Sequence, residues 1–401
     1  MSVRAEPVAG RSRLLGHVAA GVLARALAGL EGDMLEVELP GGQTHRFGSG
    51  APVRLVIRDR AFFRRLATRG KLGFGESYTA GEWEADDLVG LFELLLRNAD
   101  RAAARHPGVR RLLELRPRVQ RRNGIVRSRR NIAYHYDLGN ELFGLMLDET
   151  MTYSCAVFDR PGLTLAEAQR AKYERLGRLL DLRAEDHVLE IGCGWGGFAQ
   201  FAVERYGCRV TGITISHEQA AFARERTRGG RVDILEQDYR TVEGTYTKVA
   251  SIEMIEAIGA DQFGTFFATI DRVLAPGGRA ALQSILVPEQ RWDRYRRSPD
   301  WIERYIFPGC LIPSLEALTG AAARHSRLGV YAVDEIGEHY AETLRRWRAS
   351  FRARRDEVRR LGYDRRFERT WDFYLAFCEA AFRTRALRDA QLLLVRPGSA
   401  G

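Results

Sequence analysis

Lysine is almost missing from this chain: of 62 basic residues only Lys71, Lys172 and Lys248 are lysine, and arginine supplies the rest. Cysteine is scarce as well, with five residues scattered without paired spacing. An odd, unpaired set excludes a disulfide scaffold and fits a reducing cytoplasm, and no cluster has zinc-ligand spacing, so no metal site is expected. No apolar run approaches the ~18 residues a membrane span needs. The best amino-terminal candidate, His17–Ala24, is cut short by Arg25 and leads into a helix-like pattern, which argues against a signal peptide. Internal repeats and long low-complexity tracts are lacking too. The 401 residues are 45% hydrophobic and 28% charged, an ordinary globular composition for two or three domains.

The net charge is +10, and it is local. Arg101–Arg130 holds eleven arginines against the single acid Glu114, so the rest of the chain balances to zero. Concentrated positive charge attracts a polyanion, either nucleic acid or an anionic membrane surface. A solvated arginine-rich linker is the plainer alternative.

Two patterns flank that stretch. Residues 1–100 read as a small α+β module. Leu14–Leu30 has helical apolar spacing, Met34–Leu39 and Thr44–Phe47 form a hairpin across Pro40-Gly41-Gly42, Val53–Ile57 is a strand, Ala61–Thr68 a short helix, and Leu88–Asn98 a helix. Gly70, Gly73, Gly75 and Gly81 around Phe74, Tyr78 and Trp83 suggest a tight loop packed with aromatics. From Leu165 onward, strands His187–Ile191, Arg209–Ile215, Val232–Leu235, Lys248–Ile252 and Arg279–Val287 alternate with helical segments, which implies βαβ units and a parallel sheet. Pro288–Arg327 breaks the rhythm as an insertion, and Val330–Ile336 and Gln391–Val395 are the last strands. The division expected is therefore 1–100, a linker at 101–130, and an α/β domain at 131–401.

The most informative motif is Glu190-Ile191-Gly192-Cys193-Gly194-Trp195-Gly196-Gly197, a strand running into a glycine turn and then a helix. Glycine suits a turn with unusual dihedrals whose backbone must approach a ligand. A strand acid just before the glycines fits an S-adenosylmethionine loop, with Glu190 near the methionine ammonium, better than a dinucleotide loop. No acid ends the second strand, so Thr214 and Gln219 are candidates for the ribose hydroxyls. Asp238 could accept from the adenine amine and Tyr239 could stack on the ring.

Further blocks carry a family resemblance: His135-Tyr136-Asp137-Leu138-Gly139-Asn140, Met151-Thr152-Tyr153-Ser154-Cys155-Ala156, Gly212-Ile213-Thr214-Ile215-Ser216, Glu256 with Gly259, and Tyr305-Ile306-Phe307-Pro308-Gly309. Together with the glycine loop they resemble the cyclopropane-fatty-acyl-phospholipid synthase family, which includes the mycolic-acid cyclopropane synthases. The resemblance implies a class I Rossmann-like methyltransferase domain with a mixed, mostly parallel seven-stranded sheet. It also implies a small N-terminal α+β domain associated with lipid and dimerisation. The activity implied is transfer of a methyl from S-adenosylmethionine to the cis double bond of a phospholipid acyl chain, followed by proton loss and closure of a cyclopropane. Cofactor contacts carry over to Tyr136, Tyr153, Ser154, Gly192, Gly194, Thr214, Gln219 and Ile252. A bicarbonate base carries over to a cage of Cys155, Glu256, Ile285 and Tyr340, with Gln283 in the place of a histidine ligand. The partners implied are unsaturated phospholipids at the inner face of the membrane, where the chain is expected as a peripheral cytoplasmic enzyme and homodimer.

Two positions depart from the family pattern. Ala257 follows the glutamate where many members have histidine, and Gln283 replaces the other histidine. Gln donates hydrogen bonds but does not titrate near neutral pH. The run Glu253–Gly259 resembles a branch that leaves a methylene group on the chain for a partner reductase to saturate. Nucleic acid is not the expected substrate, because Glu253-Met254-Ile255-Glu256 stands where amino-methylating enzymes of that class carry a Pro-Pro-aromatic motif, and a Pro-Cys motif is absent. A non-catalytic lipid-binding protein with a relict cofactor fold is the remaining alternative.

Overall fold

The computed structural model describes residues 27, 29–105, 138–298 and 301–398. They fall into two compact units. The first contains strands β1 (Met34–Glu38), β2 (Thr44–Phe47), β3 (Pro52–Ile57) and β4 (Trp83–Ala85) in the order β2-β1-β3-β4. Alternation explains them: Leu35 and Val37 of β1, and Val53, Leu55 and Ile57 of β3, are buried between outward-facing neighbours. The hairpin closes where expected, β1 pairing antiparallel with β2.

The glycine-rich segment differs from expectation. It is a helix, Ala61–Thr79, broken only at Gly70, where φ is +54°. Gly75 is there for close packing rather than for a loop, since a Cβ would lie 2.4 Å from Trp301 Nε1. The aromatics do pack together, Phe74 stacking on Trp83 at 4.5 Å between ring centres. This unit also takes in the helix Arg365–Arg383, which the sequence pattern assigns to the α/β half. The apolar face of that helix explains its place: Phe373 meets Phe92 edge-on at 4.9 Å and Trp301 at 4.5 Å.

The second unit is a seven-stranded sheet. Its strands are β5 (His187–Ile191), β6 (Arg209–Thr214), β7 (Val232–Glu236), β8 (Tyr246–Ile252), β9 (Leu274–Leu286), β10 (Gly329–Glu335) and β11 (Arg388–Val395), in the order β10-β11-β9-β8-β5-β6-β7. All neighbours are parallel except β11, which is antiparallel to both β9 and β10. This is the mixed, mostly parallel sheet expected. The chain winds from β5 to β7 in one direction and returns to β8 on the other side of β5. That reversal opens a crevice at the carboxyl ends of β5 and β8, where open α/β sheets bind ligands. Because β11 is antiparallel, its first residues lie beside the last residues of β9, with Asp389 opposite Ile285 and Gln391 opposite Gln283. Chemistry-bearing residues from β5, β8, β9 and β11 thus converge on one edge of the sheet. Within the insertion Pro288–Arg327, the helix Leu315–His325 buries Leu318, Ala321 and Ala322 in the core.

Candidate active site

The glycine turn sits at the end of β5. Gly192, Gly194 and Gly196 all have positive φ, at +83°, +53° and +80°. Gly192 and Cys193 donate their backbone N–H groups to Ile213 O, tying the turn to β6. A Cβ on Gly192 would collide with Met254, 2.7 Å from its Cγ, whereas one on Gly194 would meet nothing within 4 Å. The first glycine is therefore required by packing and the second leaves backbone open to a ligand. Glu190 is buried with its Oε2 unpartnered, and burial pushes its carboxyl up to about 8. The turn and this acid fit the sulfonium cofactor the loop implies.

The other cofactor candidates divide. Thr214 donates to Gln219 Oε1 at 3.0 Å, so the pair forms one polar unit beside the turn, and Ser216 caps the helix His217–Arg226 beneath it. Tyr153 packs against Phe143 at 5.2 Å and Trp347 at 5.1 Å. Ser154 is buried and accepts from Lys172 Nζ at 2.7 Å. Ile252 ends β8. Asp238 is already held by Arg240, through Nε at 2.8 Å and Nη2 at 2.7 Å. Tyr239 is not a free stacking face: it belongs to the core under the sheet, edge-on to Phe266 at 5.6 Å. Tyr136 and most of Arg101–Arg130 lie outside the described residues.

The expected catalytic residues do come together, but around a residue that sequence reasoning did not single out. Glu253 follows β8 with a φ of +47°, rare for a residue with a side chain. Its Oε1 accepts from Cys155 N–H at 2.8 Å and from Gln283 Nε2 at 2.8 Å, and its Oε2 accepts from Tyr340 OH at 2.6 Å. Gln283 Nε2 also faces Asp389 Oδ2 at 3.2 Å, while its Oε1 accepts from Gln391 at 3.0 Å. Glu256 accepts from Ile285 N–H at 2.6 Å and Ser284 Oγ at 2.9 Å, and its Oε2 is buried and unpartnered. Burial, and then repulsion from Glu253, push Glu256 up to about 8. The same two causes hold the Asp389 carboxyl well above its usual range. Burial is the main reason the Cys155 thiol is raised, which leaves it a neutral packing group whose backbone does the work.

Lys172 is the buried cation of this cluster. It is fully buried, and burial lowers it to about 8 against the opposing pull of Glu253, Cys155 and Asp389. Its rarity in an arginine-rich chain was the available signal, since a short point charge fits where a guanidinium does not.

The bicarbonate cage does not fit this arrangement. Of its donors, Cys155 N–H, Gln283 Nε2 and Tyr340 OH are engaged by Glu253, and Ile285 N–H is engaged by Glu256. A further anion there would face two carboxyl groups instead of free donors.

A family model for mycolic acid cyclopropane synthetase matches residues 125–392. The chain belongs to that family. It is similar to the tuberculostearic acid methyltransferase UfaA1 of Mycobacterium tuberculosis, 41% identical over 87% of this chain and 84% of that protein. It is similar too to the cyclopropane-fatty-acyl-phospholipid synthase of Escherichia coli, 35% identical over 86% of this chain and 88% of that one. Among solved structures, mycolic acid cyclopropane synthase CmaA1, complexed with SAH and CTAB, matches with a TM-score of 0.63 and 29% identity, covering 67% of this chain and 98% of that one. Membership makes the chain an S-adenosylmethionine-dependent methyltransferase. No helix among the described residues is long and apolar enough to cross a membrane, and none of their acidic, cysteine and histidine side chains form a metal-holding group.

The buried acid of the cyclopropane-synthetase fold gives a pH prediction. Apo Glu190 keeps its proton below about 8. An ammonium beside it favours the carboxylate, so binding releases a proton and tightens with rising pH. Affinity for S-adenosylmethionine is expected to rise by up to about tenfold per pH unit between pH 6 and 8. Calorimetry at several pH values checks this, and Glu190→Gln should lose the slope. An equal slope in the variant would place the titrating group elsewhere.

Proposed function

We propose that the protein transfers a methyl group from S-adenosylmethionine to the cis double bond of an unsaturated fatty acyl chain in membrane phospholipid. The observation that carries this reading is the juxtaposition at Gly192 and Met254: the cofactor turn touches the loop bearing Glu253 and Glu256. Bound S-adenosylmethionine supplies an electrophilic methyl carbon. The residues of this chain do the rest. An alkene is a weak nucleophile, so the site must align it and exclude water that would trap the resulting cation. Tyr153, partly exposed and packed by Phe143, Phe307 and Trp347, offers an aromatic face suited to a cationic chain.

Closure to a cyclopropane is the first product reading. The second, a methylene-branched chain that a partner reductase saturates, is favoured by the relative of 41% identity, whose name is that of a tuberculostearic acid methyltransferase. Incubation of purified protein with monounsaturated phospholipid vesicles and methyl-labelled cofactor tests both. A gain of one CH2 on the acyl chain supports the function, and fragmentation separates ring from methylene. No labelled lipid despite cofactor binding overturns it.

The basic stretch Arg101–Arg130 docks the enzyme on anionic headgroups in this reading, at the inner face of the membrane. Each arginine near the surface contributes about 1 kcal/mol. Neutralising Arg121, Arg122, Arg129 and Arg130 together is expected to weaken binding to anionic vesicles at least tenfold. Sedimentation with phosphatidylglycerol vesicles measures it, and unchanged binding removes the docking role.

A further inference from the structure

We propose that Glu253 is the built-in base of this enzyme, its carboxylate standing where the family resemblance places a bicarbonate ion. The inference rests on the alkene-methylation reading above and replaces its external base with a residue of the chain.

Three observations carry it. The first is occupancy of the donors. A backbone N–H, an amide N–H and a phenol O–H converge on one carboxylate at 2.8, 2.8 and 2.6 Å. That is the donor set of an anion site, filled from within. The second is the backbone. Glu253 is held at φ +47°, a conformation that L residues adopt at a cost, and the side-chain hydrogen bonds offset that cost. Its own N–H donates to Gln283 O at 2.8 Å, so β9 fixes both ends of the residue. Strain held in place by so many contacts marks a position selected for where it puts its side chain. The third is exposure. Asp389 and Glu256 are buried, whereas Glu253 is only partly buried and borders the crevice beside Met254 and Gly192.

This arrangement also accounts for Gln283. A histidine opposite a built-in carboxylate could take up a proton and pair with it. An amide donates to the carboxylate without competing for the proton.

The step balances as follows. The π electrons of the alkene form the new C–C bond to the methyl carbon, and the C–S pair leaves with sulfur. The substrate is now a carbocation. A C–H bond breaks, its electron pair forms the ring bond or the new double bond, and the proton goes to a carboxylate oxygen of Glu253. Solvent exchange through the open face of the residue returns the carboxylate after product leaves.

The test uses the full chain with Glu253→Gln and Glu253→Gly. Glycine is at ease with the positive φ, so the second variant folds while opening the donor set. Wild-type turnover in carbonate-stripped buffer should equal that with added bicarbonate. Glu253→Gln should lose at least about a hundredfold in kcat with cofactor affinity kept. Glu253→Gly should be inactive alone and regain turnover with formate, acetate or bicarbonate, a response that a merely structural residue would not give. Separately, 13C-bicarbonate binding by NMR needs no turnover. The wild type should show no saturable site and Glu253→Gly should show one. A wild type that binds bicarbonate, or needs it to turn over, overturns the proposal. If the wild type methylates no lipid, the substrate reading falls, and the NMR result still decides which group fills the donors.

Discussion

Lys172→Met should destabilise the second unit by about 3–5 kcal/mol near neutral pH, the usual cost of removing one partner from a buried charge cluster. Lys172 lies with Glu253, Asp389 and Cys155 in a region where it is itself fully buried. Burial already lowers it to about 8, so the site is a poor one for a lone cation, and yet at pH 7 it keeps its proton. Methionine would fill the volume and remove the charge that lowers the Asp389 carboxyl. The effect should depend on pH in a defined direction. Asp389 and Glu256 are acids raised in the fold, so the folded state binds more protons than the unfolded one from about pH 4 upward. Their contribution to stability is full below the unfolded values near pH 4 and is lost as pH rises towards the folded ones. Lys172 lowers Asp389 and so limits that loss. Its removal should therefore matter less at pH 5.5 than at pH 7.0, a window below the value of about 8 at which wild-type Lys172 loses its proton. Urea unfolding at the two values measures the difference. The double variant with Glu253→Gln should recover part of the loss, a coupling of about 0.5–3 kcal/mol. Equal destabilisation at both pH values with additive double-variant behaviour would reduce Lys172 to a packing role.

The cluster also shows where a single sequence stops being legible. The sheet could be read because its strands are short apolar runs bounded by glycine turns, and β5 with its Gly-x-Gly-x-Gly-Gly turn announces the crevice. Cys155, Glu256, Gln283, Ile285 and Tyr340 could be named through resemblance, and the fold does assemble them. Glu253 could not, because the resemblance supplied an external anion for the role. In sequence it is one acid of the run Glu253–Gly259, which points to a branch of the family and to no role for that residue. Only its left-handed backbone distinguishes it, and that is set by β9 rather than by its neighbours in the chain. Asp389 and Gln391 escaped notice for a related reason: they precede and begin an apolar run, and only the antiparallel pairing of β11 with β9 brings them opposite Ile285 and Gln283. The helix Arg365–Arg383 was legible as a helix but not as part of the first unit, since its partners Phe92 and Trp301 are remote in sequence. Long-range pairing is the information that local periodicity does not hold.

Gly192→Val is expected to reduce affinity for S-adenosylmethionine about thirtyfold or more and to lower turnover with it. Two costs add. A β-branched residue at φ +83° is an outlier, and the left-handed conformation costs roughly 1–2 kcal/mol. The added Cβ would also lie 2.7 Å from Met254 Cγ and 2.9 Å from its Cβ, and overpacking of that kind costs about 1–3 kcal/mol. The sum, about 2–5 kcal/mol, corresponds to roughly thirty- to several-thousandfold if relaxation of the turn disrupts the cofactor site. Turnover should fall further because Met254 is the immediate neighbour of Glu253, so moving one displaces the carboxylate from Cys155, Gln283 and Tyr340. Gly194→Ala is the informative contrast. Its Cβ would meet no protein atom within 4 Å, and its φ of +53° lies in the small left-handed region that L residues enter at modest cost. That variant should keep the fold and the Glu253 contacts while weakening the cofactor alone, by placing a methyl on the open face of the turn. Isothermal titration with S-adenosylmethionine, paired with single-turnover kinetics at saturating cofactor, separates the two. If Gly192→Val recovers full turnover once cofactor saturates, the turn and the Glu253 loop are mechanically independent. A turnover defect that persists at saturation, confined to the Gly192 variant, ties cofactor seating to the position of the base.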